Sequence, residues 1–243
     1  MYPFRAVISY DGTRYFGWQK TDTGPTIQAS IALAITKASQ EEILPEAASR
    51  TDRGVHAEGQ VISFALQKKW DPYRLLRALN AHLPKDIRIL LLKEASSDFH
   101  PTLQSRLKEY HYRISMSPFQ EPFDRLYAWH FRWPLDLSLM EKAAKQLIGE
   151  RDFSAFAGEK ETNPICTLTE ILFQKLDRER LQIVIQGDRF LYKMARTLVG
   201  TLLYIGSHKL DTDCLPSILS LKDRKKAGIT APAHGLFLHR VLY

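Results

Sequence analysis

Residues 48–57 hold the densest group of chemically capable side chains in the sequence. One carboxylate, Asp52, stands between Arg50 and Arg53, and Gly54 follows. A positive charge within a few ångströms favours the ionised form of a carboxylate, and an ionised carboxylate can attack a carbon atom of a sugar or a base. The same residues also form a good turn, because Asp bonds to its own backbone and Gly accepts a positive φ. On this segment alone both interpretations stay open.

A second candidate, Arg196, lies in a helix predicted over residues 190–205. The apolar stripe of this helix consists of Leu191, Met194, Ala195, Leu198, Val199, Leu202 and Ile205. Arg196 falls on the margin of the stripe, where a guanidinium costs free energy unless a carboxylate meets it. The alternative is that the long side chain of Arg196 reaches solvent.

Two tyrosines face the same way on a strand predicted over residues 107–116. Tyr110 and Tyr112 alternate with polar residues, and Lys108 lies on their face. One interpretation is a core position with the hydroxyl at its rim. The other is a platform on which a base stacks, which contributes about 1–3 kcal/mol per base. A core role fits Tyr112 better than Tyr110.

The charge of the chain favours a polyanionic partner. Lys and Arg number 34 against 27 Asp and Glu, a net charge of +7. Such a surplus is typical of nucleic-acid binding, although a basic enzyme without that role is the alternative. The basic residues are scattered, which suits a long phosphate backbone; they include Lys68, Lys69, Arg74, Arg77, Arg106, Lys108 and residues 222–226.

Other chemistries find little support in the sequence. The histidines show no metal-ligand spacing, and no glycine-rich phosphate loop occurs. Cys166 and Cys214 fit neither a disulfide framework nor a thiolate metal site, so a reducing compartment, the cytoplasm, is expected. We expect no signal peptide and no membrane span.

Hydrophobic periodicity predicts an α+β fold. Strands are predicted at residues 4–10, 60–66 and 87–93, with helices between them, and the second half repeats this order. We therefore expect two ferredoxin-like halves of the β-α-β-β-α-β type, with antiparallel sheets that form one cleft. The predicted domains are residues 1–99, with Asp52, and residues 100–243, with Tyr110 and Arg196.

Seven segments in order resemble the tRNA pseudouridine synthase A (TruA) family, over nearly the whole chain. Residues 49–57 resemble its catalytic signature, and residues 9–19 its opening strand and turn. The further matches are Asp98-Phe99-His100, Tyr110-His111-Tyr112, residues 149–156, Met194-Ala195-Arg196 and residues 227–236. The order of these segments is far more specific than the Asp52 turn by itself.

The resemblance implies an isomerase that converts uridine to pseudouridine at positions 38, 39 and 40 of the tRNA anticodon stem-loop. It implies no cofactor, no metal and a homodimer that binds tRNA. Asp52 matches the catalytic aspartate, Tyr110 the tyrosine that stacks on the uracil, and Arg196 the arginine that pairs with the aspartate. Arg50 matches an arginine associated with base flipping. Phe99, His100 and Arg53 are further expected substrate contacts.

Two positions depart from the family pattern. Arg53 stands where the family usually has Ala, and it either adds a phosphate contact or crowds the turn. Cys166 stands where the family commonly has Arg, so tRNA contacts from that segment are in doubt. The residues alone leave two rival functions, a non-catalytic RNA-binding module and a nucleoside glycosidase. A glycosidase normally needs a second acid, and none lies beside Asp52 in the sequence.

Overall fold

The computed structural model describes all 243 residues, and these form two compact units. The first unit contains residues 1–106 and 237–243, and the second contains residues 107–236. None of the helices has the length and apolar character that crossing a bilayer requires.

The chain forms ten strands and five α-helices. In chain order they are β1 (Tyr2–Tyr10), α1 (Ile27–Ser39), β2 (Glu46–Ala47), β3 (His56–Leu66), α2 (Pro72–His82), β4 (Ile87–Glu94), β5 (Leu107–Ser115), β6 (Trp129–His130), α3 (Leu137–Leu147), β7 (Gly149–Asp152), β8 (Ile165–Lys175), β9 (Arg180–Gly187), α4 (Met194–Gly206), α5 (Cys214–Leu221) and β10 (Leu236–Leu242). Short 3₁₀ turns lie at Ser154–Phe156 and Ala233–Gly235.

The first unit has the predicted β-α-β-β-α-β order, from β1 to β4. Its sheet runs β4-β1-β3-β10, with β2 also paired to β3. All these pairs are antiparallel except β3 with β10, which is parallel at Phe237 opposite His56. Thr26 caps α1, and Asp71 caps α2 with Pro72 in its first turn. Asp is a preferred N-cap residue, and Pro is favoured at the first helical position.

The second unit contains an antiparallel sheet in the order β5-β9-β8-β7, with β6 parallel to β5. Asp136 caps α3, and its side chain accepts a hydrogen bond from Leu139 N–H at 3.1 Å. The buried side of α3 packs against α4 and β8. The α+β fold class with mostly antiparallel sheets is confirmed. The cleft and the domain boundary at residue 99 stay predictions.

The predicted helix over residues 190–205 is wrong at its start, since α4 begins at Met194. Lys193 has φ 60°, a left-handed conformation that ends the preceding turn and cannot continue a helix. Residues 188–193 therefore form an irregular connection from β9 to α4. Their side chains make contacts that do not follow the faces of the helix. The two- to four-residue strands β2, β6 and β7 are too short for a periodic pattern and were not predicted.

Candidate active site

The segment that carries Asp52 is a loop between β2 and β3, and buried side chains fix its first half. The Gln60 side chain accepts from Ser49 N–H at 3.2 Å and donates to Ser49 O at 2.6 Å. The Thr51 and Tyr10 hydroxyls are 2.8 Å apart. Burial raises the pKa of Tyr10 to about 12, so this phenol stays neutral and holds the loop as a hydrogen-bonding group.

Asp52 begins a tight turn that ends at Val55. Val55 N–H donates to Asp52 O at 3.1 Å, and Gly54 has the positive φ, 79°, that the sequence predicts. Gly54 N–H donates to Tyr15 O at 3.3 Å. Thr51 and Val55 are buried, whereas Asp52 is half-buried. The turn interpretation is correct, and the turn leaves the carboxylate partly accessible.

A second segment, residues 11–18, lies against this loop and was not singled out by residue chemistry. Trp18 N–H donates to Thr51 O at 3.0 Å. Gly17 has φ 95°, and a Cβ there would lie 2.7 Å from Thr51 O. A side chain at Gly17 would therefore push the two segments apart. The sequence signal for this contact was Gly17 itself, because a close approach of two backbones favours glycine.

The two arginines beside Asp52 do not pair with it. The Arg53 guanidinium lies 4.1 Å from the centre of the Phe16 ring. Arg50 is exposed and forms no ion pair or side-chain hydrogen bond. Neither flanking guanidinium therefore forms an ion pair with the Asp52 carboxylate. Both cations instead face solvent next to the loop.

His56, the imidazole of the same motif, has a structural position. Its ring is buried and stacks on Phe237, with centroids 4.6 Å apart. Its Nδ1 accepts a hydrogen bond from Gly12 N–H at 3.1 Å. His56 thereby joins the start of β3 to the segment that supports the Asp52 loop.

Phe99 and His100 have local partners within the first unit. The Phe99 ring lies 5.2 Å from Tyr243, and Arg5 lies over Phe99 at 5.7 Å. His100 Nδ1 accepts from two backbone N–H groups three residues or fewer away, and its Nε2 lies 3.5 Å from Glu46 at β2. The ring of His100 therefore closes a turn beside the strand that leads into the Asp52 loop.

Tyr110 lies in the second unit, on β5 opposite Ile185 of β9. It is only 5% exposed. Its ring makes an edge-to-face contact with the Phe190 ring, with centroids 4.8 Å apart and an interplanar angle of 74°. Phe190 belongs to the connection between β9 and α4. The predicted helix start at residue 190 hid this contact. Tyr112 is fully buried, as its predicted core role requires.

Arg196 lies in the first turn of α4 and is half-buried. Its Nε donates to Ala231 O at 2.7 Å, and Ala231 N–H donates back to Arg196 O at 3.1 Å. Tyr112 Oη donates to the next carbonyl, Pro232 O, at 2.8 Å. Burial raises the pKa of Tyr112, and the positive charge of Arg196 opposes that shift. Arg196 is thus fixed by backbone and does not extend freely into solvent.

The segment that holds Arg196, residues 227–235, packs closely on α4. Gly228 N–H donates to Thr201 Oγ1 at 2.9 Å. A Cβ at Gly200 would lie 1.8 Å from Ile229 O, so only glycine permits this approach. Contacts of this kind bring together in space two motifs that lie far apart in the sequence, at Arg196 and at residues 227–236.

Comparison with known proteins gives one consistent result. The sequence profile of a family described as tRNA pseudouridine synthase matches residues 6–102 and 143–243. A protein named tRNA pseudouridine synthase A 2, from Protochlamydia amoebophila (strain UWE25), is 48% identical over 97% of this chain and 92% of its own length. Proteins named tRNA pseudouridine synthase A from Thermoanaerobacter sp. (strain X514) and Leuconostoc citreum (strain KM20) are 42% and 38% identical, over 98% and 99% of this chain and 98% and 96% of their own lengths. The chain belongs to the tRNA pseudouridine synthase family.

Proposed function

We propose that this chain isomerises uridine to pseudouridine at positions 38, 39 and 40 of the tRNA anticodon stem-loop, with Asp52 as the catalytic carboxylate. The observation that carries the proposal is the membership of nearly the whole chain in one family of enzymes. A half-buried Asp52 on a loop fixed by hydrogen bonds supports it, since catalytic groups act best when their geometry is set in advance.

The reaction needs a carboxylate and a dry, aromatic environment. The target uridine leaves its stack, at a cost of a few kcal/mol. Asp52 assists cleavage of the N1–C1′ bond, the uracil turns, and a C5–C1′ bond forms. The proton lost from C5 balances the proton gained at N1, so no atom is added or removed. Water must be excluded meanwhile, because it would hydrolyse the intermediate.

Tyr110 and Arg196 are proposed as the other catalytic residues. Tyr110 would stack on the detached uracil and handle the C5 proton, and its ring is braced by Phe190. Arg196 would pair with the catalytic carboxylate, and the bond from its Nε to Ala231 O sets the direction of its side chain. Both residues are held by rigid elements, which supports a role that demands exact placement.

The remaining site residues are proposed as RNA contacts. Arg50 would assist flipping of the base, and Arg53 would bind a phosphate; both are exposed beside Asp52. Phe99 and His100 would contact substrate near β2, where His100 is partly exposed. The enzyme is further proposed to work in the cytoplasm as a homodimer on tRNA, without metal or cofactor and without a membrane.

The experiment that tests this function uses an anticodon stem-loop transcript with uridine at positions 38, 39 and 40. After incubation with the protein, pseudouridine is located by carbodiimide labelling and primer extension. We expect conversion at one or more of these positions and none in a transcript with cytidine there. Tight binding with no conversion of any uridine would instead favour the non-catalytic RNA-binding module.

A further inference from the structure

Lys108 is a buried cation that the chemistry proposed above does not use. It lies on β5, opposite Gly187 of β9, and is 6% exposed. It forms no ion pair and no side-chain hydrogen bond within the protein. Its Nζ retains some solvent-accessible surface, although most of the side chain is buried. A charged group largely removed from water costs free energy unless a partner compensates. A lysine kept in this state points to a partner that is not part of the chain.

The surroundings of Lys108 add a second positive charge. Burial is the main cause that lowers the pKa of Lys108, and the like charge of Arg189 lowers it further. Asp188 acts in the opposite direction on Lys108, but its Oδ1 accepts from the backbone N–H of Thr167 at 2.8 Å and of Arg189 at 2.6 Å. One oxygen of this carboxylate is thus engaged by backbone donors. The Lys108 ammonium and the Arg189 guanidinium are left as donors for an anion.

The position of this pair connects it with Tyr110. Lys108 and Tyr110 are two residues apart on one strand, so they share a face about 7 Å apart. Arg189 directly precedes Phe190, whose ring packs on Tyr110. The two cations therefore lie beside the tyrosine on which the target base is proposed to stack.

We propose that Lys108 and Arg189 bind a backbone phosphate that flanks the target uridine. The inference rests on the proposed function, because it assumes that RNA reaches Tyr110. Ammonium and guanidinium groups form strong, charge-assisted hydrogen bonds to phosphate. Because most of the Lys108 side chain is buried, only a closely apposed phosphate reaches its Nζ, and a nucleotide that has left the helix brings its phosphate close. The contact therefore stabilises the flipped state more than the first encounter with tRNA.

The test combines a variant with a neutral phosphate. Lys108→Met keeps the apolar stem of the side chain, one atom shorter, and removes its charge; Lys108→Arg retains the charge, and the exposed Lys145→Met is the control. Single-turnover conversion is measured on stem-loops in which the phosphate on either side of the target uridine is a neutral methylphosphonate. Each is compared with an RNA that has the same sugar and a normal phosphate.

We expect Lys108→Met to slow conversion about tenfold or more, with tRNA affinity changed far less. Lys108→Arg should recover part of the rate, and the melting temperature of Lys108→Met should not fall. One methylphosphonate should slow the wild type by a similar factor and should not slow Lys108→Met further.

Two results would overturn the inference. One is conversion of both neutral RNAs by the wild type at the normal rate. This measurement does not depend on the folding of any variant. The other is additive losses at both phosphates in Lys108→Met. A wild type that converts no uridine in unmodified RNA would instead refute the proposed function itself.

Discussion

Asp52 and Arg53 are neighbours in sequence, yet their side chains have different surroundings. Asp52 is half-buried at the start of a turn, whereas Arg53 leaves the turn and stacks on Phe16 at 4.1 Å. The sequence predicted the turn and its glycine, because Asp and Gly have local preferences. It did not predict the Arg53–Phe16 contact, since that contact depends on how residues 11–18 fold back.

The stacked arginine leads to a prediction at the scale of one residue. Arg53→Ala should weaken tRNA binding and reduce the salt dependence of binding by about one phosphate contact, because a fixed cation is removed. Stability should change by less than about 0.5 kcal/mol, as for most exposed positions. Filter binding over a series of salt concentrations checks this, with Phe16→Leu to show the effect of stacking alone. An unchanged salt slope in Arg53→Ala would leave the arginine no phosphate role.

At the scale of elements, the Asp52 loop depends on a second segment that supports it. Residues 11–18 reach the loop through backbone hydrogen bonds and through glycines that permit close approach. Residues 227–235 hold Arg196 in a comparable way. Periodicity predicts helices and strands but contains no information on such irregular contacts. Glycines within the motifs were the only local sign of them.

Gly17 allows the loop contact to be tested directly. Gly17→Ala combines a positive φ with a clash at Thr51 O, while Gly149 has φ 101° and nothing within 4 Å of a Cβ. Gly149→Ala should therefore cost only the backbone term, about 1–2 kcal/mol. Gly17→Ala should cost about 1–3 kcal/mol more than Gly149→Ala, and it should also lower activity. Urea unfolding of both variants measures the difference; equal losses would mean that the loop contact is not tight.

Asp86 gives the same support segment a pH dependence. Its carboxylate accepts from Tyr15 Oη at 2.7 Å and from Arg14 Nε at 3.1 Å. Burial of Asp86 raises its pKa, but the hydrogen bonds from Arg14 and Tyr15 outweigh burial, and the net pKa is lowered. A lowered folded-state pKa contributes stability above the unfolded pKa of about 4, which is lost as the pH falls through the folded value.

Asp86→Asn should therefore lower the melting temperature at pH 7. The difference in melting temperature between this variant and the wild type should shrink below about pH 4. Thermal unfolding between neutral and acid pH measures both curves. The exposed Asp22→Asn serves as the control and should show no such convergence. A constant gap between Asp86→Asn and wild type at all pH values would contradict the assignment.

At the scale of the whole molecule, local signals predicted the element order better than the contacts between elements. The strands of the first unit and the caps at Asp71 and Asp136 follow from alternation and capping preferences. The late start of α4 was missed because it depends on one left-handed residue, Lys193. The ordered motifs predicted the family, whereas residue chemistry alone left the alternative functions open.

The central claim is that Asp52 performs the chemistry of uridine isomerisation. It is tested most directly by release of tritium from tRNA labelled at C5 of uridine, with wild type and Asp52→Asn at equal concentration. We predict that Asp52→Asn loses at least about a hundredfold in rate, because the amide cannot act as a nucleophile or base, while tRNA binding is largely kept. Tritium release by Asp52→Asn at the wild-type rate would contradict the claim.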